Sequence, residues 1–194
     1  LSWVLDQQVL RKGDWSQKLP NVAPGGWAFE YKNYFYPDTD DTAVALIALS
    51  RFQQNPLPLA REGGERSEPG EGPSSLANGR PLTSDPSDAW SDPASGRGEK
   101  ISLAIRLGVD WLVAMQSKGG GWGAFDKDND KQFLTKIPFC DFGEALDPPS
   151  VDVTAHVVEA FGKLGLGKKH PAMIRALDYL QREQEQDGSW FGRW

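Results

Sequence analysis

The 194-residue chain is poor in several things, and each shortage excludes a class of function. Its one cysteine, Cys140, leaves no internal disulfide and no multi-cysteine zinc site, and fits a reducing compartment. Long apolar runs are missing. The longest clear one covers the seven residues 43–49, where a bilayer-spanning helix needs roughly 20. Basic charge is in deficit: the net charge is -6 and Lys and Arg are scattered, so nothing offers an electrostatic footprint for nucleic acid. Histidine occurs only as His156 and His170. No initiator Met and no signal peptide open the chain, and the expectation is an internal fragment of a longer protein.

Aromatic residues are abundant instead, with eight Trp, nine Phe and four Tyr, many of them beside Gly. Two segments share one pattern: aromatic, Leu, three residues, Gln, three residues, Gly, one residue, Trp. They are Trp111, Leu112, Gln116, Gly120, Trp122 and, 68 residues further on, Tyr179, Leu180, Gln184, Gly188, Trp190. A looser copy opens the chain as Trp3, Val4, Gln8, Gly13, Trp15, with one extra residue between its Gln and its Gly. Such self-similarity marks a repeat architecture, in which each unit buries its apolar face against its neighbours. Apolar spacing before each Gln is helical, and each Gly is expected to stop a helix. The Gln is expected to reach backbone groups of a neighbouring turn, with the following indole covering it.

Trp15 and Trp122 lie 107 residues apart, 39 more than the repeat interval. Residues 60–98, rich in Gly, Pro, Ser, Glu and Asp and almost free of aliphatics, account for the excess and are expected to form a flexible inserted loop. About six helices are predicted, the firmest over 38–51, 98–116, 150–165 and 171–184, and the fold class is all-α.

The densest chemistry is Pro37-Asp38-Thr39-Asp40-Asp41-Thr42, leading into the apolar run. Asp38 is placed to cap the helix, with Asp40 and Asp41 in its first turn, where backbone N–H groups and the helix dipole favour negative charge. That alone is ordinary capping. Crowding adds a second expectation, that one of these carboxyls keeps its proton near neutral pH and can serve as a general acid. Asp126, Asp128 and Asp130 mimic a calcium loop, but Lys131 and Ile137 stand where that loop needs Gly and Glu, so a polar turn is expected. His170, beside Lys168 and Lys169, reads as solvated and without function.

The acidic motif and the repeats together resemble the squalene-hopene cyclase family of class II terpene cyclases. The resemblance is carried in order by Pro24-Gly25-Gly26-Trp27-Ala28-Phe29 with the Asp38 motif, Gly120-Gly121-Trp122-Gly123-Ala124-Phe125-Asp126, Ile137-Pro138-Phe139-Cys140-Asp141-Phe142-Gly143-Glu144, Asp147-Pro148-Pro149-Ser150-Val151-Asp152-Val153-Thr154-Ala155-His156, and Asp187-Gly188-Ser189-Trp190-Phe191-Gly192-Arg193-Trp194. It implies that residues 1–194 are part of a catalytic α/α barrel. It implies Asp40 as the acid that protonates squalene, His156 as its hydrogen-bonding partner, and Asp38 and Asp41 as supports. Phe29, Phe125 and Asp152 would face the substrate cavity, and Phe139 and Cys140 the neck of a substrate channel. No metal or other cofactor is implied. The expected partners are squalene or a similar polyprenoid, and a membrane surface on the cytoplasmic side, met through parts outside this segment; a homodimer is compatible. Two alternatives stay open: a cyclase of another polyprenoid, such as a sesquarterpene or diterpenoid precursor, and a helical binding module whose exposed indoles stack on sugar rings.

Overall fold

A computed structural model describes residues 1–30, 32–52, 96–130 and 146–193. Nearly all of the expected loop lies outside the described residues. Only 96–98 are described, and Arg97 and Gly98 already belong to a helix.

The described elements are α1 (Ser2–Asp6), a 3-10 turn (Asp14–Gln17), β1 (Trp27–Ala28), β2 (Pro37–Asp38), α2 (Thr39–Ser50), α3 (Arg97–Met115), α4 (Val151–Lys163) and α5 (Pro171–Arg182). The four firm helix predictions match α2 to α5 within a residue or two at most ends. The two strands pair only as one short antiparallel rung, Trp27 with Asp38 and Ala28 with Pro37. α2 packs against α4 and α3, α4 against α5, and α1 against α3. Successive repeats therefore form two layers, α2 and α4 in one and α1, α3 and α5 in the other.

Between the layers lies one apolar core, with Leu46, Ile105, Trp111, Leu112, Trp122, Val157 and Phe161 fully buried. Trp122 meets Phe161 edge to face at 5.9 Å, and Trp15 meets Trp111 in the same way. Four of the six described indoles are buried, at Trp15, Trp27, Trp111 and Trp122, whereas a sugar-stacking module needs them exposed.

Gln8 and Gln116 each tie two segments together. The Gln116 Nε2 donates to the Gly120 carbonyl at 2.7 Å and to Ala172 of α5 at 2.9 Å, while the Arg175 guanidinium donates to its Oε1. The Trp122 indole N–H donates to Leu112, four residues before that Gln. Gln184 and Trp190 repeat the pattern on Gly188 and Leu180.

The opening copy differs from its predicted form. Gln8 Nε2 donates to Gly25 at 2.8 Å and to Ala104 of α3 at 2.9 Å, and Trp27 Nε1 donates to Val4. The first repeat is thus Trp3, Val4, Gln8, Gly25, Trp27. Gly13 and Trp15 belong to a segment inserted between its Gln and its Gly, and they matched the pattern by spacing alone. Nor do the glycines stop the helices. α3 ends at Met115 and α5 at Arg182, and Gly120 (φ +99) and Gly188 (φ +86) sit beyond, in turns that need a left-handed residue. His170 is also not idle, since its Nδ1 accepts the Ala172 N–H as the cap of α5.

Gln116→Leu removes the donor to two carbonyls and the acceptor for Arg175. In the complete protein it is expected to cost about 2–3 kcal/mol, read from the shift in denaturant midpoint at unchanged slope.

Candidate active site

The start of α2 is held by its own side chains and by a second loop. The Asp38 Oδ1 accepts the Asp41 N–H at 2.7 Å, the expected cap. The Thr42 hydroxyl donates to the Asp38 carbonyl at 2.5 Å and accepts the Trp27 N–H at 2.8 Å. Thr39 reaches across to the 123–125 turn, its N–H donating to Ala124 O and its hydroxyl to Gly123 O, each at 2.7 Å. That turn is gripped by Asp147, which accepts the N–H groups of Ala124, Phe125 and Asp126 at 2.9, 2.5 and 2.6 Å.

With α2 fixed this way and α4 packed beside it, Asp40 and His156 meet although 116 residues separate them. His156 Nδ1 lies 2.5 Å from Asp40 Oδ1, with both side chains about half exposed. Asp40 borders an open hollow of about 310 Å³ that is also lined by Phe29, Asp38, Asp41, Ala124, Phe125 and Val153. Three carboxyls and two phenyl rings thus share its lining, and both rings are exposed. Phe29 and Asp41 also border a second hollow of about 250 Å³ reaching to Trp3 and Tyr34.

Asp38 behaves differently from its neighbours. It is 2% exposed, and its Oδ2 has no hydrogen-bond partner. Burial is the main reason its carboxyl is pushed up from 3.8 to about 8, with the charges of Asp41 and Asp40 adding to the rise. One carboxyl of the cluster is pushed well above the usual carboxylate range. The larger cause is desolvation, and the residue is Asp38.

Other expected site residues fall elsewhere. Asp152 does not line the hollow; its Oδ2 accepts the Arg193 N–H at 2.9 Å. Phe139 and Cys140 lie outside the described residues. Asp126 and Asp128 serve a polar turn: Asp126 accepts from Asn129 and faces Lys18, and Asp128 accepts the Lys118 N–H. No group of three or more His, Cys, Asp or Glu among the described residues is arranged to hold a metal ion. Sequence reasoning missed Thr39, Thr42 and Asp147. The legible signal was Trp27 with Thr42 recurring as Trp122 with Thr154, whose hydroxyl accepts the Trp122 N–H at 3.1 Å.

Helix pairs locked by Gln and Trp turns, with an acidic helix start against an imidazole at the edge of an apolar hollow, define a repeat domain of the class II terpene cyclase kind. The family model for the squalene-hopene cyclase C-terminal domain matches residues 1–67 and 91–194. The chain is 43% identical over 99% of its length to the squalene–hopene cyclase of Alicyclobacillus acidocaldarius, 40% over its whole length to that of Zymomonas mobilis, and 42% over 99% to that of Schizosaccharomyces japonicus. It belongs to the squalene-hopene cyclase family, as part of the C-terminal α/α barrel domain. The chain spans about a quarter of the length of these relatives.

A carboxyl pushed upward by folding stabilises the fold while it stays protonated. Asp38 therefore contributes stability that is present below about pH 4 and lost as pH rises through 8. Between these limits unfolding free energy declines by up to about 1.4 kcal/mol per pH unit. Asp38→Asn keeps the capping oxygen and is expected to remove this component; denaturation of the complete protein near pH 5 and near pH 8 measures it.

Proposed function

We propose that the complete protein carrying this segment protonates squalene and cyclises it to hopene or hopanol, with Asp40 as the proton donor. The observation that supports this best is the 2.5 Å contact between Asp40 and His156 at the edge of a hollow walled by Phe29 and Phe125. An alkene is a very poor base, so the acid must be strengthened and the cation sheltered. As the Asp40 O–H bond breaks, the proton forms a C–H bond at the terminal double bond, and the alkene π pair is consumed in it. The neighbouring carbon becomes a tertiary cation. Imidazolium at His156 stabilises the carboxylate left behind, and Asp38 and Asp41 support the pair. The phenyl faces of Phe29 and Phe125 attract the developing cation without trapping it as a nucleophile. Ring closures consume the remaining double bonds in turn, and loss of a proton or capture of water ends the sequence.

Further parts of the reading rest on the family resemblance. Phe139 and Cys140 form a channel neck, and residues 60–98 are an insertion, in keeping with a family match that leaves out 68–90. Squalene enters from a membrane on which the complete protein is seated at its cytoplasmic side. No described helix is long and apolar enough to cross that membrane.

The test is product analysis by gas chromatography and mass spectrometry after squalene is incubated with the complete enzyme. Hopene or hopanol is the expected product, and Asp40→Asn is expected to lower its rate by about 10²–10⁴-fold. Absence of cyclised product from the parent, with turnover of another polyprenoid, transfers the reading to that substrate. Equal rates for parent and variant remove Asp40 as the acid.

A further inference from the structure

Two successive peptides of the turn that carries Phe125 are held on both sides. Their carbonyls, Gly123 O and Ala124 O, accept the Thr39 hydroxyl and the Thr39 N–H, each at 2.7 Å. Their N–H groups, those of Ala124 and Phe125, donate to the Asp147 carboxylate at 2.9 and 2.5 Å. In a trans peptide the C=O and N–H point opposite ways, so the turn is gripped between Thr39 on one side and Asp147 on the other. The Asp126 N–H adds a third bond to Asp147 Oδ2 at 2.6 Å. Thr39 is fully buried and Asp147 only 9% exposed, and bonds from N–H groups to a carboxylate are roughly twice as strong as neutral ones. Gly123 lies so close to Asp147 that a Cβ there has no room.

Thr39 brings to this grip a hydroxyl that the neighbouring repeat lacks. The Thr42 hydroxyl accepts the Trp27 N–H as that of Thr154 accepts the Trp122 N–H, and Asp38 pairs with Trp27 as Ser150 pairs with Trp122. In this register Asp40 corresponds to Asp152 and Thr39 to Val151, whose side chain has no hydroxyl to offer the turn that follows. The ring at the end of the grip is held less tightly than its backbone. Phe125 is 40% exposed, and its side chain lines the hollow with that of Asp40, the residue after Thr39. The backbone of the turn therefore sets where the ring starts from, and the side chain keeps only its rotamer wells. Its place matters, because cation–π attraction is felt only within about 6 Å of the ring centroid.

We propose that Asp147 is a positioning residue that fixes the Phe125 ring beside the acid, by holding the turn that carries the ring against Thr39. This rests on the reading of Asp40 as proton donor and of the Phe125 ring as shelter for the cation. The cation forms where Asp40 delivers its proton, and a ring held away from that place leaves it unsheltered. Cyclisation then ends early: a C–H bond beside the cationic carbon breaks, its electron pair closes an alkene, and water takes the proton. Loss of Asp147 therefore diverts squalene to incompletely cyclised products, beyond any slowing of turnover.

The test uses the complete enzyme with squalene as probe. Gas chromatography and mass spectrometry read total turnover and the ratio of incompletely to fully cyclised product. Phe125→Ala is expected to raise that ratio about 5- to 30-fold, the range of a lost cation–π contact. Asp147→Ala is expected to raise it about threefold or more by itself and by less than about 1.5-fold when Phe125→Ala is already present, because a residue that acts through the ring then has nothing to act on. A purely structural clamp lowers turnover at an unchanged ratio, or shifts the ratio by the same factor with and without the ring, and either result overturns the proposal. If circular dichroism finds Asp147→Ala unfolded, Asp147→Asn, which keeps the side-chain shape and one acceptor, enters the same cycle with the same expectations. A parent that makes no cyclised product, an Asp40→Asn at the parental rate, or a Phe125→Ala with an unchanged ratio removes the reading on which the inference rests, and the inference with it. A Phe125→Ala that shifts the ratio beside an Asp147→Ala that does not removes the inference alone.

Discussion

A buried carboxamide at a helix end is the interaction on which the rest of this structure depends. Gln8 and Gln116 each use one NH2 group twice, once on the glycine carbonyl of the turn that follows and once on the next helix of the same layer. The indole of that turn donates back to the carbonyl four residues before the Gln. A buried carbonyl left without its donor costs more than the bond itself contributes, so these ties specify register as well as adding stability. The same register presses Gly26 against Pro37, Thr42 and Trp111, and Gly121 against Pro149, Thr154 and Tyr179, with no room for a Cβ at either.

Function arises where the repeats depart from one another. The N-cap position of α4 is Ser150, whose side chain makes no cap bond, whereas that of α2 is Asp38, which caps the helix and whose carboxyl burial pushes upward. The carboxylate of Asp152 is absorbed into the scaffold, and that of Asp40 meets His156 instead. A regular scaffold delivers two helix starts side by side, and the proposed acid site sits on the one whose capping residue and carboxylate partner differ.

Much of this was legible in the sequence, and the limits have physical causes. α2 to α5 were readable because apolar periodicity, Asp38 and Pro171 set their limits locally. The opening repeat was misread because Gly13 and Trp15 imitate the spacing, while the true Gly25 and Trp27 are set apart by a segment whose closure is purely tertiary. The pairing of Asp40 with His156 came from resemblance rather than pattern, since nothing in the spacing of two residues 116 positions apart encodes contact. Asp147 escaped notice because its three partners are backbone N–H groups, which carry no sequence signature. Crowding of carboxylates was visible, but which of them is desolvated depends on packing that only the fold supplies.

The central claim is that the packing of α2 against α4 joins Asp40 to His156 as one proton-donating unit. The most direct measurement is nitrogen-15 NMR of the imidazoles in the complete protein, with His156 assigned by its loss in His156→Gln. The account predicts a downfield, exchange-protected Nδ1–H at His156 that disappears in Asp40→Asn and survives in Asp152→Asn. A His156 spectrum that is indifferent to Asp40→Asn contradicts it.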